Sequence, residues 1–351
     1  MTRGRTRSAL GQTAIACALW AAVAACAARA PSAAATPAEP PLHLAPVADL
    51  VPAGGLVWLV DARPRAILAE AQLIPALAVL VPERNLDAFV RTRGVDLRAM
   101  DELAIAHYEG TQLFLAREVI DPPELERAFA SAVAEVQGRA VDRRPPDPRG
   151  VLTRVWGASG LTHETLVVFG REACGLALGD EAPIRAAELF AEGRLKRAAP
   201  AWKAPPLDAI AMFLGEGAIR IAAPGPFRGE VADGLGGVLG AATGAGASVK
   251  VEGDALRMNV VVTGAWGDQA VAAKVRLERA YGRLAASGLG TLVGLNRPVT
   301  PPVFRATPEM VGMEVSVDGL VFLRGLADAT TANLHDILSD PPPFRSSPQT
   351  P

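Results

Sequence analysis

Cysteine is scarce. The chain of 351 residues has three, Cys17, Cys26 and Cys174, which excludes a disulfide-stapled scaffold. Histidine is almost as rare: His43, His107, His163 and His335 are the four, and no H-E-x-x-H, H-x-H or C-x-x-C spacing occurs. No metal and no cofactor is therefore expected. Aromatic residues make up 5%, and Trp20, Trp58, Trp156, Trp202 and Trp266 are scattered rather than grouped into a stacking platform. No excess of basic charge is present, with 35 Lys and Arg against 37 Asp and Glu. A phosphate backbone would find no bulk positive field, so nucleic acid is not an expected partner. The chain is 50% apolar and 21% charged, which excludes a disordered polymer and allows one large domain or two ordinary ones.

The one concentrated signal is at the N-terminus. Arg3, Arg5 and Arg7 precede an uncharged apolar run from Ala14 to Ala25. A basic head followed by a short apolar run and small residues predicts an export signal over residues 1–25. The run falls short of the ~20 apolar residues that span a bilayer. Removing the three leader arginines leaves the body at about −5.

The end of that run, Val23-Ala24-Ala25-Cys26, resembles the lipobox of bacterial lipoproteins. The resemblance implies that Cys26 is acylated, becomes the first mature residue and fixes the protein to a membrane. Ala27 follows it, where the enteric members retained at the inner membrane carry Asp, so the outer membrane is the implied location. Cleavage after the small-x-small site Ala28-Arg29-Ala30 would instead release a soluble exported protein.

Residues 26–47 are rich in Ala and Pro and predict a tether. Residues 340–351, opening with Pro341-Pro342-Pro343, predict a disordered tail. Between them, hairpin patterns alternate with amphipathic ones. Leu56–Val60 reads as a strand, and Arg65–Leu80 as a helix interrupted at Pro75. Leu103–Tyr108 and Gln112–Ala116 form a hairpin about Glu109-Gly110, after which Asp121-Pro122 opens a helix with Leu125, Phe129, Val133 and Val136 on one face. Strands at 165–169 and 173–178 flank Gly170, and Asp180-Glu181-Ala182-Pro183 caps a helix to Phe190. Strands at 248–251 and 256–262 flank Glu252-Gly253-Asp254. Asp268 then opens a helix with Ala273, Leu277, Tyr281 and Leu284 on its apolar side. Met313–Val317 turns at Asp318-Gly319 into a last helix carrying Leu326, Leu334, Ile337 and Leu338.

This order predicts an α+β fold: antiparallel sheet built from hairpins, with amphipathic helices on one face. Caps at Asp121, Asp180 and Asp268 are unevenly spaced, which excludes a solenoid of fixed period. A boundary near 195–206 would divide the body into similar halves, 48–200 and 201–339. With Val51-Pro52-Ala53 before the first strand and Gly94-Val95-Asp96 before a later one, the body resembles exported bacterial domains to which no activity is assigned.

Candidate chemistry is thin. Gly157-Ala158-Ser159-Gly160 beside His163 lacks the spacing of a serine-nucleophile elbow and reads as a turn. Gly234-Leu235-Gly236-Gly237-Val238-Leu239-Gly240 misses the dinucleotide fingerprint by one position and reads as a close-packed small-residue segment. The acid pairs Asp101-Glu102, Glu124 with Glu126, and Asp180-Glu181 fall where helix starts favour negative charge. Cys174 lies in an apolar strand and reads as inert packing. The expected role is non-enzymatic, with no catalytic residue: a lipoprotein held by Cys26, whose partners are the membrane and an envelope protein or an apolar ligand. The rival readings are a carrier of an apolar ligand and a hydrolase assembled from dispersed residues about His107 or His163.

Overall fold

The computed structural model describes residues 44–93, 96–137, 141–144, 152–159, 162–195 and 198–331. The leader, Cys26, His43, His335 and the 340–351 tail lie outside these residues.

In chain order the elements begin with β1 (Leu56–Ala62), α1 (Pro64–Leu68), α2 (Ile74–Leu80) and α3 (Glu83–Arg93). The hairpin β2 (Glu102–Tyr108) and β3 (Thr111–Arg117) leads into α4 (Pro122–Gln137). Next come β4 (Asp142–Arg143), β5 (Leu152–Ser159), β6 (Thr162–Phe169), β7 (Ala173–Leu178) and α5 (Ala182–Ala191). α6 (Leu207–Leu214), β8 (Ile219–Pro224) and the short α7 (Gly234–Gly237) lead to the hairpin β9 (Gly244–Glu252) and β10 (Ala255–Thr263). α8 (Ala270–Ala286), α9 (Gly288–Leu292), β11 (Thr300–Ala306), β12 (Met310–Asp318) and α10 (Gly319–Thr331) complete the order. Every strand pairing is antiparallel, so the α+β architecture built from hairpins is observed.

The chain forms two compact units, and they do not divide near residue 200. The first runs to Ala69 and resumes over Glu83–Pro224; the second takes Glu70–Pro82 and everything from Gly225 onward. The segment after Pro200 stays with the first unit because β8 pairs with β1, Ile221 opposite Val60. Ala201 N–H also donates to Val51 O at 2.7 Å.

In the first unit the strand order is β8-β1-β2-β3-β7-β6-β5-β4. Leu125, Phe129 and Val133 of α4 cover Ile105, Phe114, Leu166, Val168, Cys174 and Leu176. The reverse face is buried as well, a layer beyond the one-sided cover expected. A Cβ on Gly175 would sit 2.7 Å from Leu115 Cδ2 and 3.4 Å from Ile184 Cδ1, which places α5 on that side. Double burial explains the unbroken apolar runs, such as Leu113-Phe114-Leu115-Ala116, where a one-sided sheet would alternate.

In the second unit the order is β9-β10-β12-β11. One face carries the helices: Ala273 and Leu277 of α8 meet Val262 and Val311, while Leu73 and Leu77 join Phe322 and Leu323 over Leu256, Val315 and Val317. Residues of opposite parity on the same strands carry charge. Arg257 lies 2.6 Å from Glu314 and 3.3 Å from Glu252, a cross-strand ladder suited to a wet surface. The terminal strand β11 contains Pro301 and Pro302, and β4 is two exposed residues long. Both are poor templates for further strands.

The units share a connection rule. In each, two hairpins lead directly into a helix, β2–β3 and β6–β7 in the first unit and β9–β10 and β11–β12 in the second, and the second strands of these hairpins pair: β3 with β7, and β10 with β12.

Local details differ from expectation in four places. The break in the first helical region falls at residues 69–73, and Pro75 starts α2, where a missing amide costs nothing. Asp268 lies in a 3-10 turn, Gly267–Gln269, and α8 begins at Ala270. Leu284 is exposed rather than on the buried stripe of α8. Leu44 and Val47, inside the stretch assigned to the tether, are buried in the body.

Candidate functional site

The segment that spans the end of the predicted tether, Leu44–Val51, is locked into the first unit. Val47–Leu50 forms one 3-10 turn; Val47 and Val51 are 0% exposed and Leu50 1%. Burial alone would leave its backbone polar groups without water, and side chains from two strands answer them. Glu102 of β2 accepts from Val47 N–H at 2.8 Å. Arg117 of β3 donates to Leu44 O at 3.1 Å and also to Ala45 O. Glu102 and Arg117 pair with each other at 3.3 Å, so each orients the other. Asp49 takes an ion pair from Lys203 Nζ at 2.8 Å. Tyr108 OH donates to Pro52 O at 2.8 Å, and burial pushes its phenol above the usual range.

A second polar group adjoins this clamp through the turn Ala201–Lys203. Arg220 of β8 donates through Nε to Asp61 of β1 at 2.9 Å, and its guanidinium lies 4.7 Å from the centroid of Trp202. Burial raises the Asp61 carboxyl above its ordinary range despite the opposing pull of Arg220, so the pair is held by packing as much as by charge.

The residues singled out from the sequence are dispersed over the elements. Asp101 pairs with Arg65 at 2.6 Å, Glu126 with Arg143 at 2.5 Å, and Glu102 belongs to the clamp. Asp180 accepts from Ala182 N–H at 2.9 Å, and Glu181 pairs with Arg185 one turn along α5. Ser159 and Thr162 close the β5–β6 hairpin, with Ala158 opposite His163. His163 O accepts from Gly179 N–H at 2.8 Å. His107 stacks on Trp58 with ring centroids 5.4 Å apart; its Nδ1 is buried without a hydrogen-bond partner. Cys174 is buried in the core beneath α4. In the glycine cluster, Gly236 packs on α8, where a Cβ would meet Arg276 O at 3.1 Å.

One group had no sequence signal. Glu118, just past β3, has its carboxyl pushed up to about 7, first by burial and then by the Asp96 and Asp101 carboxylates, while a backbone hydrogen bond from Asp96 pulls the other way. Its Oε2 is buried without a partner. Among the described residues no group of three or more His, Cys, Asp or Glu could hold a metal ion. Also among them, no helix is long and apolar enough to cross a membrane.

No family model and no curated protein matches the chain. Among solved structures it is similar to crystal forms I and III of TP0453, with TM-scores of 0.46 and 0.47 and 7% identity. The matches cover 82% and 81% of this chain and 98% of that one. At that distance the likeness assigns nothing to particular residues.

Proposed function

We propose that the protein is an exported lipoprotein of the cell envelope, held through acylated Cys26 and carrying a non-catalytic body that binds or scaffolds a partner at the membrane. The clamp at Leu44–Leu50 is the observation that carries this reading. A leash is useful only if its end is fixed to the body it holds. Here Leu44, Val47, Ala48 and Leu50, at the C-terminal end of the Ala/Pro-rich stretch and just past it, are buried, and their segment is gripped by Glu102, Arg117 and Lys203. Fully extended, residues 27–43 reach about 60 Å at most, so an acylated Cys26 would keep the clamp within that distance of the bilayer. The outer membrane is the location favoured by Ala27, with the body facing the periplasm or the exterior.

The acid pairs have structural partners. Asp101, Glu102, Glu126, Asp180 and Glu181 are each engaged in a structural ion pair or hydrogen bond. Metabolic labelling with a fatty-acid probe tests the anchor. Wild-type protein is expected to take up label and Cys26→Ala to lose it. Unlabelled wild-type protein recovered from its own cells would end the proposal.

A further inference from the structure

The ten residues from Leu73 to Pro82 carry no charge and no polar side chain. As α2 they form part of the second unit, and only one side of the helix is buried. Leu73 sits against Gly319 at the start of α10, and Leu73 and Leu77 share a cluster with Phe322 and Leu323. The opposite side shows Ile74, Pro75, Ala78 and Val79 to solvent, with Ile74 50% and Val79 60% exposed. On α10, against which α2 packs, Val321 and Leu326 are also 44% and 38% exposed. A surface helix ordinarily carries polar residues on its outer side, and a contiguous apolar stripe there marks something that covers it.

The chain supplies a cover of matching chemistry. α10 ends at Thr331, and the residues beyond it include Leu334, Ile337, Leu338 and Phe344. Leu334 with Ile337 and Leu338 has the three-and-four spacing of one helical face. These residues are tethered to the helix that already packs on α2. Covalent continuity with α10 gives such a segment an effective concentration of about millimolar, which a second copy or a soluble partner would have to match. We infer that the segment bearing Leu334, Ile337 and Leu338 docks on the exposed stripe of α2 and covers Ile74 and Val79. The inference does not depend on acylation of Cys26.

A photo-crosslinking residue in place of Val79, in the full chain, tests it directly. The expected product is an intramolecular link to the peptide containing Leu334–Phe344. A link to a second copy, a link to lipid when phosphatidylethanolamine and phosphatidylglycerol vesicles are present, or no link would each overturn it. A chain ending at Thr331 provides an independent measurement. It is expected to bind an apolar fluorescent dye several-fold more than the full chain, and Ile74→Asp with Val79→Asp in the shortened chain is expected to remove the gain. Equal dye binding by the full and shortened chains would also overturn the inference.

Discussion

Arg154 on β5 and Glu188 on α5 form a buried ion pair, Nε to Oε1 at 2.8 Å, with both side chains 9% exposed. Two charges so far from water are stable only together. Glu188→Ala is expected to destabilise the first unit by about 3 kcal/mol, because it leaves a buried guanidinium with only Glu181, 3.8 Å away, as counter-charge. Arg154→Met combined with Glu188→Leu is expected to recover most of that loss. Urea unfolding of the single and double variants, closed into a cycle, measures the coupling; additive losses would show that the pair is not a unit.

Glu118 makes the stability of the first unit fall as pH rises. Its folded-state carboxyl titrates at about 7, above the ordinary Glu value, so the folded protein holds the proton that the unfolded chain has released. The penalty is absent below about pH 4.5, grows up to about pH 7 and is constant above it. Glu118→Gln is expected to raise stability at pH 8 by on the order of 1 kcal/mol, a figure reduced because the group is partly exposed. The variant should also flatten the profile between pH 5 and 7. A melting-temperature series against pH reads both effects.

The clamp on the N-terminal segment should fail in a characteristic way. Arg117→Ala removes donors to Leu44 O and Ala45 O and leaves Glu102 with the Val47 N–H but without its counter-charge. A loss of about 1–3 kcal/mol is expected. The more telling readout is limited proteolysis, in which cleavage around residues 44–51 should accelerate while β9–β12 keep their protection. Unchanged cleavage there would mean that burial of Val47 and Leu50 suffices without the polar contacts.

Two glycines predict opposite signs for the same substitution. A Cβ on Gly325 of α10 would lie 2.2 Å from Leu292 O and 2.6 Å from its carbonyl carbon, which is backbone and cannot step aside. Gly325→Ala is expected to cost about 1–3 kcal/mol or more. At Gly282 in α8 nothing lies within 4 Å. Gly282→Ala is expected to stabilise by about 0.5–1 kcal/mol through helix propensity. Thermal unfolding of the two variants side by side decides the matter.

Local chemistry made much of the fold legible. The Glu252-Gly253-Asp254 hairpin could be read because a glycine at φ 61° turns the chain there, and α4 because Pro122 opens it and Leu125, Phe129 and Val133 repeat at helical spacing. Elements with weak patterns were missed. α3 buries Leu86 among many charged residues, and β8 interrupts its apolar residues with Arg220. The clamp has no local signature, because Glu102 and Arg117 grip backbone far away in sequence and the prolines around residues 40–46 look like linker. The pairs Arg154–Glu188 and Asp61–Arg220 were illegible for the same reason: charge alone does not reveal which partner the topology delivers.

The assignment of Glu70–Pro82 to the second unit has a consequence for how the protein is made. A ribosome delivers α2 long before Leu256, Val315, Phe322 and Leu323, the residues it packs against, have been synthesised. The nascent first unit must therefore close around a loop whose greasy contents wait for chain that does not yet exist. Gene fragments cut at Gly225 would yield a C-terminal piece with a hole where Leu73 and Leu77 belong, so the halves cannot be studied as simple truncations.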